Sequence, residues 1–177
     1  MGLTLALEAP ERVRRLALVS PAGIEPFSPK EAAAMKQATT AEGILNTTDE
    51  QVRQNTTLNF AEWNDRYAWI IEQRHALSER DDFAAYAKAN ARSVAGMLES
   101  DVRDRLGEID VPALVLFGAG DRLIPNPYLH PDMTTTDVAD RAREALPEAT
   151  VRMVETAGHL LMLERPEGFR QELHAFV

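Results

Sequence analysis

Hydrophobic and polar positions follow two textures along this chain. Leu16-Ala17-Leu18-Val19 and Ala113 to Phe117 are short apolar runs without polar interruption, the pattern of strands buried on both faces. Val151 to Val154 reads as a third strand. Residues 3 to 9 read as a short helix that Pro10 ends. Thr136 to Leu146 reads as another, and Pro166 to Phe176 as a closing helix with Phe169, Leu173 and Phe176 on one side. Between the first two strands the periodicity turns helical. Ser28-Pro29-Lys30-Glu31 combines a capping box with proline at the first helical position, and Gly43 is predicted to end that helix. Thr48 with Gln51 is a second start of the same kind. Tyr67, Ile70, Ile71 and Leu77 form one apolar face, and Phe83, Tyr86, Val94 and Met97 another.

Strand, helix, strand, helix requires parallel pairing through crossovers, so the predicted class is α/β. The helical stretch between the first and second strands is an insertion of roughly 80 residues, well beyond ordinary connections. The expected division is a core of residues 1–27 and 108–177, with an all-helical insertion over 28–107. There is no internal repeat and no low-complexity segment.

Composition narrows the partners. The 177 residues are 45% hydrophobic and 27% charged, a globular balance. A formal net charge of -9 disfavours nucleic acid or an anionic membrane held by bulk electrostatics. No cysteine is present, which excludes disulfides, thiol nucleophiles and thiolate metal sites. No apolar run spans a bilayer, and Leu3 to Leu7 is too short for a signal segment, so membrane insertion is not expected and a cytoplasmic location is the default expectation. Met1-Gly2 resembles a myristoylation start, but Ala6 stands where Ser or Thr is required. The Asn-x-Thr sites at Asn46 and Asn55 matter only in a secreted protein.

Two stretches carry candidate chemistry, LVLFGAGDRLIP and VETAGHLLMLERPEGF. In an open parallel sheet, ligands sit beyond the carboxyl ends of the strands. Asp121 and His159 each follow such an end. A carboxylate beside an imidazole there orients the ring as a general base and stabilises the imidazolium as it forms. Each residue also has a plainer reading: Asp121 as a turn former, His159 as an exposed loop histidine. His75, His130 and His174 are scattered without metal-ligand spacing, so neither a metal nor a cofactor is expected. Gly118-Ala119-Gly120 lacks the remaining glycine and the lysine of a phosphate-binding loop.

The chain resembles the C-terminal part of an α/β-hydrolase. The residues carrying the resemblance are Pro10-Glu11-Arg12-Val13, Ser20-Pro21, Val111-Pro112 with Gly118 and Asp121, and Gly158-His159 with Pro166-Glu167. It implies a partial α/β-hydrolase: the C-terminal strands of a parallel sheet with flanking helices, and a helical cap in the inserted segment. It implies Asp121 and His159 as acid and base. The family's nucleophile elbow stands immediately before the helix matched by Leu3 to Ala9, so the nucleophile would precede Met1, together with the earlier strands. Only the backbone N–H of Met1, in a longer chain, would remain of the oxyanion hole. Ser20 ends a strand but lacks the G-x-S-x-G context of a strained nucleophile. Ser28 reads as a helix cap, and Ser93 as a position within a helical pattern.

The resemblance implies a small-molecule substrate, mainly apolar, with Tyr67, Phe83 and Tyr86 of the cap as lining residues. Asn126 to Met133, with two prolines, lengthens the loop after Asp121 and is expected to border the substrate entrance. A serine carboxylesterase or lipase-like enzyme is the leading expectation, with a C–C bond hydrolase of ring-cleavage products as the alternative and a dehalogenase or epoxide hydrolase, whose nucleophile is an aspartate, behind them. The polypeptide by itself would then be inactive. A shortened, non-catalytic binding or assembly protein is the reading of a different class. With few strands left, an uncovered sheet edge is expected to make the chain marginally stable or self-associating.

Overall fold

The computed structural model describes residues 1–177. Three parallel strands, β1 (Leu16–Val19), β2 (Ala113–Gly118) and β3 (Ala149–Val154), form one sheet in the order β1-β2-β3. Leu16 pairs with Ala113, and Ala113 with Ala149. Six consecutive buried residues make β2 the centre. The expectation that Leu16 to Val19 is buried on both faces is corrected at Ala17, which is exposed. β1 has a strand neighbour on one side only, so part of it remains open to solvent.

Helices cover both sheet faces. Leu16, Leu18, Ala113, Val115, Phe117 and Val151 pack against Leu3 and Ala6 of α1 (Gly2–Glu8) and Val138, Ala139 and Ala142 of α7 (Thr135–Ala145). On the other face, Leu114 and Leu116 meet Ala157, Leu161 of α8 (Leu161–Glu164), and Phe169 and Phe176 of α9 (Pro166–Phe176). The alternation of β2 side chains between the two clusters is the period of two expected of a strand. Gly118 ends β2 where a Cβ would lie 2.1 Å from the Gly158 carbonyl oxygen, so glycine permits the backbones to touch.

The remaining helices form a second compact unit over residues 27–58 and 63–100. It holds α2 (Pro29–Ala38), α3 (Ala41–Leu45), α4 (Asp49–Thr57), α5 (Ala68–Ser78) and α6 (Phe83–Glu99). Capping boxes at Ser28–Glu31 and Thr48–Gln51 start α2 and α4. Gly43 does not end the first helix as expected. The break falls at Thr39, and the Thr40 hydroxyl accepts from the Gly43 N–H to start α3. The boundaries expected at 28 and 107 also shift. Residues 59–62 and 101–107 group with the sheet, because Glu164 accepts backbone bonds from Ala61 and Glu62, and Val102 and Leu106 enter the sheet core.

Candidate active site

The turn after β2 places Asp121. Its N–H donates to the Gly118 carbonyl at 3.1 Å. The side chain is fully buried, and its two oxygens divide their work. Oδ1 accepts from the N–H groups of Leu123 at 2.8 Å and Ile124 at 3.1 Å, while Oδ2 lies 2.9 Å from His159 Nδ1. A carboxylate can only accept, so the shared proton sits on Nδ1 of the neutral ring. Nε2 is then the basic nitrogen, the tautomer a general base requires. Side-chain exposure of 27% at His159 leaves the ring reachable beside its buried partner.

The His159 turn is fixed by its main chain. Gly158 N–H donates to Glu164 Oε2 at 2.5 Å, and Leu160 N–H to the Asn59 carbonyl at 3.0 Å. A Cβ on Gly158 would lie 2.4 Å from the Ala61 nitrogen, so the turn lies directly on the backbone of residues 60–61. Glu164 is 6% exposed and receives Ala61 N–H as well, at 3.1 Å; a buried carboxylate here acts as a cap for several backbone donors. Ser20, at the end of β1, donates its hydroxyl to the His159 carbonyl at 3.0 Å.

The loop after Asp121 is tied down along its length. Thr135 Oγ1 donates to the Ile124 carbonyl at 2.8 Å, and Glu25 Oε1 accepts from Asn126 N–H at 2.7 Å and lies 2.5 Å from His130 Nδ1. Asn126 Oδ1 in turn accepts from the N–H groups of Tyr128 and Leu129. His130 therefore serves the loop from within the sheet unit rather than standing isolated.

The structure brings Asp121 and His159 together. Tyr67, Phe83 and Tyr86 lie in the helical unit. Tyr67 is buried with its ring edge-on to Trp63, and Phe83 stacks on Tyr86 with the Arg74 guanidinium over both rings. Met1 stands exposed at the N-cap of α1, its carbonyl accepting from Leu5 N–H at 2.8 Å. Sequence reasoning missed Glu164 and Glu25, whose only sequence signal is an acid within a mainly apolar stretch. It also missed the hydroxyl contact of Ser20. A cavity of about 440 Å³ beside Ile24, Leu106 and Arg141 is lined by neither Asp121 nor His159. No group of three or more His, Asp or Glu is placed to hold a metal ion, and no helix is long and apolar enough to cross a membrane.

Residues 2–172 match the alpha/beta hydrolase family. A non-heme chloroperoxidase from Streptomyces lividans is 33% identical over 91 residues, 51% of this chain and 30% of that protein. Among solved structures, a probable hydrolytic enzyme from Pseudomonas aeruginosa PAO1 superposes with a TM-score of 0.76 at 23% identity, covering 99% of this chain and 59% of that one. An esterase from Exiguobacterium antarcticum gives 0.70 at 20% identity, covering 98% and 61%. The chain thus spans under two thirds of the length of each of these relatives.

Proposed function

Because the chain belongs to the alpha/beta hydrolase family, we propose that it is the cap-bearing C-terminal part of a serine carboxylesterase or lipase-like hydrolase, in which His159 is the general base and Asp121 its orienting acid. The observation that carries the reading is the 2.9 Å contact between His159 Nδ1 and the fully buried Asp121. The nucleophile belongs to residues preceding Met1 in the parent protein. Its hydroxyl proton passes to His159 Nε2 as the oxygen attacks the ester carbonyl. The proton then goes from Nε2 to the departing alkoxide, and a water repeats the cycle on the acyl-enzyme. The Met1 N–H, as a peptide amide in that longer chain, supplies one oxyanion donor. A small-molecule ester with a mainly apolar acyl group is the proposed substrate class.

Two supports come from the chain itself. Asp121 and His159 form a complete orienting pair, with Asp121 Oδ2 directed at the ring while Oδ1 closes the turn. The alpha/beta hydrolase match extends through both.

The experiment is to read the coding sequence upstream of Met1 in frame, express the extended protein, and treat it with a fluorophosphonate probe. A Gly-x-Ser before Met1 and labelling lost in His159→Ala are the expected results. An aspartate at that position moves the chemistry to an ester intermediate on a carboxylate. Cleavage of ring-fission products without ester turnover moves it to C–C bond hydrolysis. An upstream stop codon together with a chain inert to the probe leaves the binding or assembly role.

A further inference from the structure

Ser20 has a backbone φ of 43°, in the left-handed region that non-glycine residues rarely enter. It is 7% exposed, and its N–H donates to the Leu116 carbonyl at 2.8 Å, so the β1–β2 ladder itself delivers the chain into this conformation. Glycine would hold the same backbone without strain. What serine adds is a hydroxyl, and that hydroxyl meets the main chain of the residue whose ring is bonded to Asp121. Strain of this kind persists where the surroundings over-determine it, and it clusters at functional sites.

We propose that Ser20 is a positioning residue for His159. The carboxyl ends of all three strands then converge on one histidine: β1 through the Ser20 hydroxyl on its carbonyl, β2 through Asp121 on its ring, and β3 through the turn that carries it. The flanking residues Gly158 and Leu160 are held through their N–H groups by Glu164 and Asn59. Ser20 completes the set by holding the carbonyl of His159 itself, between those two anchors. The main chain is thereby held where the ring keeps its Nδ1 proton directed at Asp121 Oδ2. This assignment rests on the reading of His159 and Asp121 as base and acid.

The test uses the 177-residue chain, with the imidazole resonances of His159 followed by NMR across a pH titration. Ser20→Gly relieves the backbone and removes the hydroxymethyl group, and with it the bond to the His159 carbonyl. Its melting temperature stays close to that of the unsubstituted chain, while the His159 Hδ1 signal broadens into solvent exchange and the titration midpoint moves toward that of Asp121→Asn. Ser20→Asn tolerates the left-handed conformation and donates an amide N–H, so it restores both signals. Ser20→Ala loses the hydroxyl and keeps the strain, so it is the least stable of the three. An unchanged Hδ1 signal and midpoint in Ser20→Gly, with Asp121→Asn still shifting both, overturns the role of Ser20 alone. If Asp121→Asn leaves His159 unmoved as well, the acid–base reading beneath it falls.

Discussion

Asp121 does two things at once. Oδ1 closes the turn by accepting from Leu123 and Ile124, and Oδ2 holds His159. The turn-former reading and the catalytic reading of this aspartate are therefore compatible, because a carboxylate has lone pairs enough for both. Asp121→Asn keeps an oxygen for the turn but presents an amide to Nδ1, which selects the wrong tautomer. In the extended protein we expect kcat to fall by about four orders of magnitude, measured on an activated ester with the fold verified by circular dichroism. Gly158→Ala tests the tight backbone contact instead. A Cβ would meet Ala61 N at 2.4 Å and Phe60 C at 2.7 Å, both main chain, so the turn must move. The expected loss is about 3 kcal/mol or more by urea unfolding, since backbone cannot yield as a side chain can. Asp121 and His159 were legible because each follows an apolar run that ends in a glycine-containing turn. Ser20 and Glu164 were not: one acts through a backbone angle and a partner 139 positions away, the other through main-chain donors that carry no residue identity.

Elements with a local cause were legible to within a residue or two. Pro166–Phe176 matches its reading, and the Ser28 and Thr48 boxes start helices where expected. α7 shows how such a signal is missed. Its box pairs Thr134 with Asp137 rather than with the usual Glu or Gln, and the helix begins at Thr135 instead of Thr136. The Thr134 hydroxyl, and then its backbone N–H, hold the Asp137 carboxyl below its ordinary value of 3.8. A lowered pKa means that this capping contribution is fully present above the ordinary carboxylate range and is lost as pH falls through the lowered value. Thr134→Ala should cost about 1 kcal/mol at neutral pH. Its deficit against the unsubstituted chain should shrink in acid, as read from urea midpoints at several pH values. The breaks at Thr39 and the 3-10 turn at Arg103–Glu108 were illegible, because tertiary contacts of Val102 and Leu106 decide the latter and no periodicity announces it.

For the whole molecule, class and strand direction followed from the alternation of apolar runs and helices, whereas no local pattern announces that residues 59–62 group with the sheet unit. A three-stranded parallel sheet leaves β1 and β3 each paired on one side only. Unpaired strand edges template further pairing. We expect light scattering on the 177-residue chain to give a mean mass that rises with concentration, and a monodisperse monomer with one cooperative thermal transition would count against this. Residues 59–62, clasped by Glu164 and Arg122 between two helical stretches, have a different consequence. They make the helical insertion two excursions rather than one, each leaving and rejoining the sheet unit at its own pair of points. Yet α2 and α3 of the first excursion pack on α6 of the second, and α4 on α5, so the two lengths fold as one helical unit and neither can be exchanged without repacking the other.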